Sequence, residues 1–140
     1  MTLGLKRRGD WLARLSSYLL ASRNQPFRLG DHDCALFVSG GIEAMTGIAL
    51  GGEYRGRYTT YSGGLRLIRR AGFRDHFAFF AAHLPEHHLS EAAPGDVVAI
   101  PTPEGPGLGL VHGPAGVYAL TRTGCTLLPL AAAGHLLKVG

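Results

Sequence analysis

The chain has 140 residues, a formal charge of +4, 46% hydrophobic and only 17% charged residues, with 21 glycines and 8 prolines. That length fits one folded domain with a real core. The hydrophobic fraction and the glycine excess, about twice the usual ~7% share, exclude disorder, coiled coil and collagen. No apolar run reaches the roughly 18 residues of a membrane-spanning helix, so no membrane span is expected. The basic residues are scattered, with short clusters only at Lys6-Arg7-Arg8 and Arg69-Arg70. Nucleic-acid binding calls for a continuous basic stripe with interleaved aromatics, so these residues read as solvated faces and no nucleic acid is expected as a partner.

In chain order, Trp11, Leu15, Tyr18 and Leu19 recur at helical spacing, which predicts an amphipathic helix from Trp11 to Ala21 capped by Asp10. Asp10 and Arg14 interrupt the apolar stretch after Lys6-Arg7-Arg8, which argues against a signal peptide. Asn24-Gln25-Pro26 breaks the pattern. A second helix is predicted from Cys34 to Thr46, with Asp33 as N-cap and Gly47 as terminator. Its face carries Cys34, Val38, Gly41, Ile42 and Met45, and Gly40-Gly41 in mid-helix points to a closely approaching neighbour. A glycine- and tyrosine-rich loop (51–61) precedes short helices over 62–71 and 75–84, the latter striped by Phe73, Phe77, Phe80 and Leu84. After a polar connector over 85–94 the period changes to that of strands, over 96–100, 108–112, 117–121, 126–130 and 136–139. Helices first and a small antiparallel sheet second make an α+β domain, with the helical part about 10–84 and the β part 95–139.

Cys34 and Cys125 lie too far apart in sequence for a paired metal motif and are too few for a disulfide framework. Cys34 opens a helix, where partial positive charge favours a thiolate, as a cysteine nucleophile requires. Asp31 and Asp33 oppose that shift. Sharing a face with Val38, Ile42 and Met45, Cys34 reads on spacing alone more readily as a packed core residue. Tyr54, Tyr58 and Tyr61, with Arg55 and Arg57, line either a saccharide or peptide groove or a contact with a partner protein. His87-His88 reads as exposed, and His76 and His83 as helix-surface residues. Cys125 falls in a predicted turn. His32-Asp33-Cys34 lacks the ligand number of a zinc site, and the Gly-Pro-Gly-Leu-Gly run at 105–109 lacks the Lys-Ser/Thr of a phosphate loop. No metal or cofactor is implied.

Phe27-x-x-Gly30-x-x-Asp33-Cys34-Ala35, the helix end Thr46-Gly47 and then Pro94-Gly95-Asp96-Val97-Val98 resemble the NlpC-type cell-wall cysteine peptidases. More closely, with Tyr58-x-x-Tyr61-x-x-Gly64-x-x-x-Ile68, they resemble small tail-associated proteins of phages and prophages that share the papain-like fold. The resemblance covers roughly residues 11–139. It implies a single papain-like domain with Cys34 as nucleophile and the base at the start of the next strand, in a His-Val-Gly-Ile-Tyr-like run. Laying 107–111 on that run puts Gly107 where the base stands. Laying 112–118 on it offers His112, at the cost of two inserted residues at Pro114-Ala115. His135 and Thr121 are the candidates to orient a base. The implied function is a structural component of a tail tip or hub with an incomplete catalytic site, whose partners are other tail-tip proteins. Such a protein would be made in the host cytoplasm and then built into the virion tail. The alternative is an active peptidase cutting peptidoglycan peptides with Cys34 and His112.

Overall fold

The computed structural model describes residues 4–103, 105–113 and 116–140. Four helices come first: α1 (Trp11–Ser22), α2 (Cys34–Thr46), α3 (Tyr61–Arg70) and α4 (His76–His83). Six strands follow: β1 (Glu86–His87), β2 (Val97–Thr102), β3 (Gly105–Val111), β4 (Gly116–Thr121), β5 (Gly124–Pro129) and β6 (His135–Leu137). The strands form one antiparallel sheet in the order β1-β6-β2-β3-β4-β5. The protein is therefore α+β. The insertion considered at Pro114-Ala115 lies outside the described residues.

Local chemistry sets the helix ends. The Asp33 carboxylate accepts from the Leu36 N–H, Thr60 from Gly63 and Asp75 from Ala78, each satisfying an orphan first-turn donor. Gly47 closes α2 with φ +83°, the left-handed conformation that favours glycine. Asp10 departs from expectation. Its side chain makes no cap bond and instead pairs with Arg14 one turn on. The 85–94 connector is also less irregular than its composition suggests, because Glu86 and His87 pair with Leu137 and Leu136. Cys125 is a residue of the β4–β5 hairpin, paired with Leu120 in the strand just past the turn.

The sheet buries both faces. On one, Val97, Ala99, Leu108, Leu110, Leu120 and Leu137 pack with Phe37, Val38, Ile42 and Met45 of α2. On the other, Val98, Ile100, Val111, Val117, Ala119 and Leu136 are covered by Leu89, Ala92, Leu128 and Leu130. Double burial explains the unbroken apolar run of β2. The α2 glycines admit two different neighbours. A Cβ at Gly41 would overlap Leu110 of β3, and one at Gly40 would overlap the Tyr18 ring of α1. The Tyr18 hydroxyl donates to the Phe37 carbonyl at 2.7 Å. The expected close neighbour is thus a strand on one side and a helix on the other.

Asp96, fully buried at the start of β2, ties remote parts of the chain together. Its Oδ1 accepts from Arg7 and the Val139 N–H, and its Oδ2 from Lys138 (2.6 Å) and the Ala93 N–H. Arg7 also donates to the Pro94 and Val139 carbonyls and stacks on Trp11, 4.2 Å from the ring centroid. Asp96→Ala leaves two cations without their anion. Because both keep some water contact, the expected loss is about 3 kcal/mol, the low end for a broken buried pair. Urea unfolding measures this, with Asp10→Ala as the control that leaves the midpoint nearly unchanged.

Candidate functional site

The Gly30–Cys34 segment is a turn built around one carboxylate. Gly30 adopts φ +83°, and a Cβ there would overlap the Tyr58 carbonyl. Its carbonyl accepts from the Gly56 N–H at 2.7 Å, holding the tyrosine-rich loop against the start of α2. Asp33, 4% exposed, accepts from the Leu36 N–H through Oδ1, and through Oδ2 from the Gly30 N–H and the Tyr58 hydroxyl. The Gly-x-x-Asp-Cys pattern is therefore a device for presenting the first residue of α2.

That residue, Cys34, lies in contact with an imidazole. The sulfur is 4.0 Å from Nε2 of His76, the first residue of α4. The Pro106 carbonyl on β3 lies beside the same ring, and the Leu108 N–H beside the sulfur. His76 is half-buried and not a surface residue. The expected stripe of Phe73, Phe77, Phe80 and Leu84 does face the core, with Phe80 and Leu84 buried and Phe73 and Phe77 packed against it, but it leaves out Phe79, which is buried as well. Residues 76, 79 and 80 stand at i, i+3, i+4, the spacing that would have found His76.

The other candidate bases lie elsewhere. β3 runs along α2, with Leu108 beside Cys34, Leu110 against Gly41, and the Val111 carbonyl accepting from Gly95, which abuts Met45. His112 therefore lies toward the far end of α2, about three turns from the thiol. It is exposed there and stacks on Tyr118 at 4.7 Å. Gly107 lines the cavity beside Cys34, but a Cβ on it would face Thr102 and the Ile100 carbonyl. His135 pairs with Glu86 at 2.7 Å, and Thr121 bonds to the Gly124 carbonyl, so neither touches the imidazole that meets Cys34.

The thiol and imidazole form part of the wall of a cavity of about 490 Å³, between α2, α3, α4 and strands β2–β5. This is within the ~300–1,000 Å³ usual for small-molecule sites. Tyr54, Tyr58 and Tyr61 all line it, in keeping with a groove. Tyr54 sets its edge on Phe79, with Arg57 over its ring 5.8 Å from the centroid. Arg122 and Thr123 stand exposed at the rim. Among the described residues no group of three His, Cys, Asp or Glu side chains is arranged to hold a metal ion, and no helix is long and apolar enough to cross a membrane.

The electrostatics favour an uncharged pair. Burial, and then the Asp33 carboxylate, push the Cys34 thiol up to about 11. Neighbouring backbone N–H groups pull the other way without reversing it. Burial lowers the His76 imidazole more than Asp75, the Pro106 carbonyl and Asp33 raise it. At neutral pH the two therefore meet as thiol and neutral imidazole.

Two measurements check this. In a Cys125→Ser background, iodoacetamide should alkylate Cys34 about tenfold faster per pH unit from 8 to 10, with no plateau in that range, because only the thiolate reacts. His76, and His32, which burial also lowers, should bind protons more readily in the unfolded chain than in the folded one. Their contribution to stability is intact above the ordinary histidine pKa of ~6.5 and declines as pH falls below it. The thermal midpoint should accordingly drop between pH 7 and 5, and less steeply in His76→Gln.

No curated protein matches the chain. A family model does match, over residues 6–139, so the whole of this site lies within it. The chain belongs to the DUF6950 family, a domain of unknown function.

Proposed function

We propose that this chain is an NlpC-like domain serving as a structural component of a phage tail tip or hub, its peptidase-type site kept as a binding cavity that does not cleave. The observation that carries the non-cleaving part is the placement of the Cys34–His76 contact beside the buried, fully engaged Asp33 carboxylate, which favours thiol over thiolate. A cysteine peptidase works through a thiolate, and here burial and a locked anion both oppose one. The NlpC-like part is supported by a cysteine-headed helix packed on the strand that follows the Gly95-Asp96 strand. The tail-tip part rests on the sequence resemblance. It is also favoured by the 17% charged content and by Leu12, Leu20, Ile48 and Leu127, each at least half exposed, as on a surface that neighbours would cover. On this reading the protein is made in the host cytoplasm and ends in the virion tail, with other tail-tip proteins as its partners.

The second reading is an active peptidoglycan peptidase with Cys34 as nucleophile and His76 as base, in place of His112. The 4.0 Å contact and the adjoining cavity favour it, since general-base contacts often tighten only when substrate binds. One assay separates the two. Wild type and Cys34→Ala are incubated with muropeptides and, separately, co-expressed with the proteins encoded on either side of this one. The structural reading expects no cleavage by either and co-purification of both. Cleavage by wild type that Cys34→Ala abolishes overturns it in favour of the enzyme.

A further inference from the structure

The walls of the cavity restrict what can occupy it. Phe27, Leu65, Ile68, Phe79, Leu108 and Leu120 are among its lining residues, and it is carbon over most of its area. A peptide threaded along such walls would leave N–H and C=O groups without partners, at a cost of about 1–3 kcal/mol each. An apolar chain carries no such groups.

At the start of α2 and α4 two polar groups of the lining meet, where the Cys34 thiol can donate and the His76 imidazole can accept or donate. Asp33 stands behind them with its oxygens already bonded to the Gly30 and Leu36 N–H groups and the Tyr58 hydroxyl. It is committed within the protein, while its charge still repels an anion placed at the thiol. A cation there would lose its water with no free carboxylate oxygen to replace it. The nearest exposed cationic group along the lining, Arg122, lies at the rim and not beside the thiol.

We propose that the cavity binds a small molecule with an aliphatic chain and a single uncharged hydroxyl or carbonyl head, the chain between α3, α4 and β3 and the head between Cys34 and His76. This rests on the reading that the site binds without cleaving, and it adds the class of ligand.

The experiment uses the full chain with Cys125→Ser, at pH 7.5, with 1-decanol, decanoate and decylamine as probes. Each is titrated by calorimetry and tested for protection of Cys34 against N-ethylmaleimide. Decanol should bind and slow labelling at least fivefold, and the two charged probes should bind at least tenfold more weakly. Leu65→Trp, which fills the cavity from α3, should abolish decanol binding while leaving the thermal midpoint within a few degrees. If that variant does not fold, Leu67→Trp on the same helix replaces it, and labelling protection in the otherwise unaltered protein stands independently of both. Equal binding of decanoate or decylamine, failure of decanol to protect Cys34, or undiminished binding by the folded tryptophan variant overturns the proposal. Muropeptide cleavage would overturn the reading beneath it instead, so the two failures are told apart.

Discussion

The site depends on how one carboxylate spends its lone pairs. Asp33 accepts from a helix-start N–H, from the N–H of the glycine three residues back, and from the hydroxyl of Tyr58 on a loop 25 residues further on. Those bonds fix where α2 begins, how the chain enters it and where the tyrosine-rich loop lies. The same anion sits next to the thiol it positions and raises the cost of ionising it. Organisation of the site and quiescence of its sulfur therefore have a common origin. A change that freed the thiol by removing the charge would also release the loop that forms one side of the cavity.

The imidazole reaches Cys34 by an unexpected route. The sequence led to a histidine on a strand, whereas the imidazole against Cys34 comes from the first turn of α4, with a β3 carbonyl beside it. A helix start and a strand edge then jointly surround the sulfur, and both groups are half-buried at the cavity wall. Burial lowers the base and raises the acid together, which widens the gap that proton transfer between them must cross.

Much of the fold is legible from local chemistry. The bounds of α2, its Asp33 cap and its Gly47 stop follow from residue type alone, as does the switch from helical to strand period near residue 95. Tyr54, Tyr58 and Tyr61 stand out in their glycine-rich loop, but the sequence leaves a groove and a partner contact open, and only the packing of the chain puts all three at the cavity wall. What was hidden depends on distant packing. Asp10 looked like a cap because the sequence cannot show that Arg14 competes for its carboxylate. β1 is two residues long, too short for any period, and exists only because β6 lies beside it. His76 looked solvent-facing because the stripe of Phe73, Phe77, Phe80 and Leu84 leaves it out, and only the packing of α4 beside Cys34 and β3 covers the face that it shares with Phe79.

The missing Cβ at Gly41 has a consequence for the chemistry. With Leu110 seated where that atom would be, the axis of α2 lies as near to β3 as the backbone permits. The gap between helix and strand thus acts as a spacer that sets the depth of everything α2 carries at its start. A methyl group added there would have to displace either the Leu110 side chain or the helix, seven residues from the sulfur. The middle of α2 and the strand beneath it are thus coupled to the helix start that presents the thiol, through two residues that do not line the cavity.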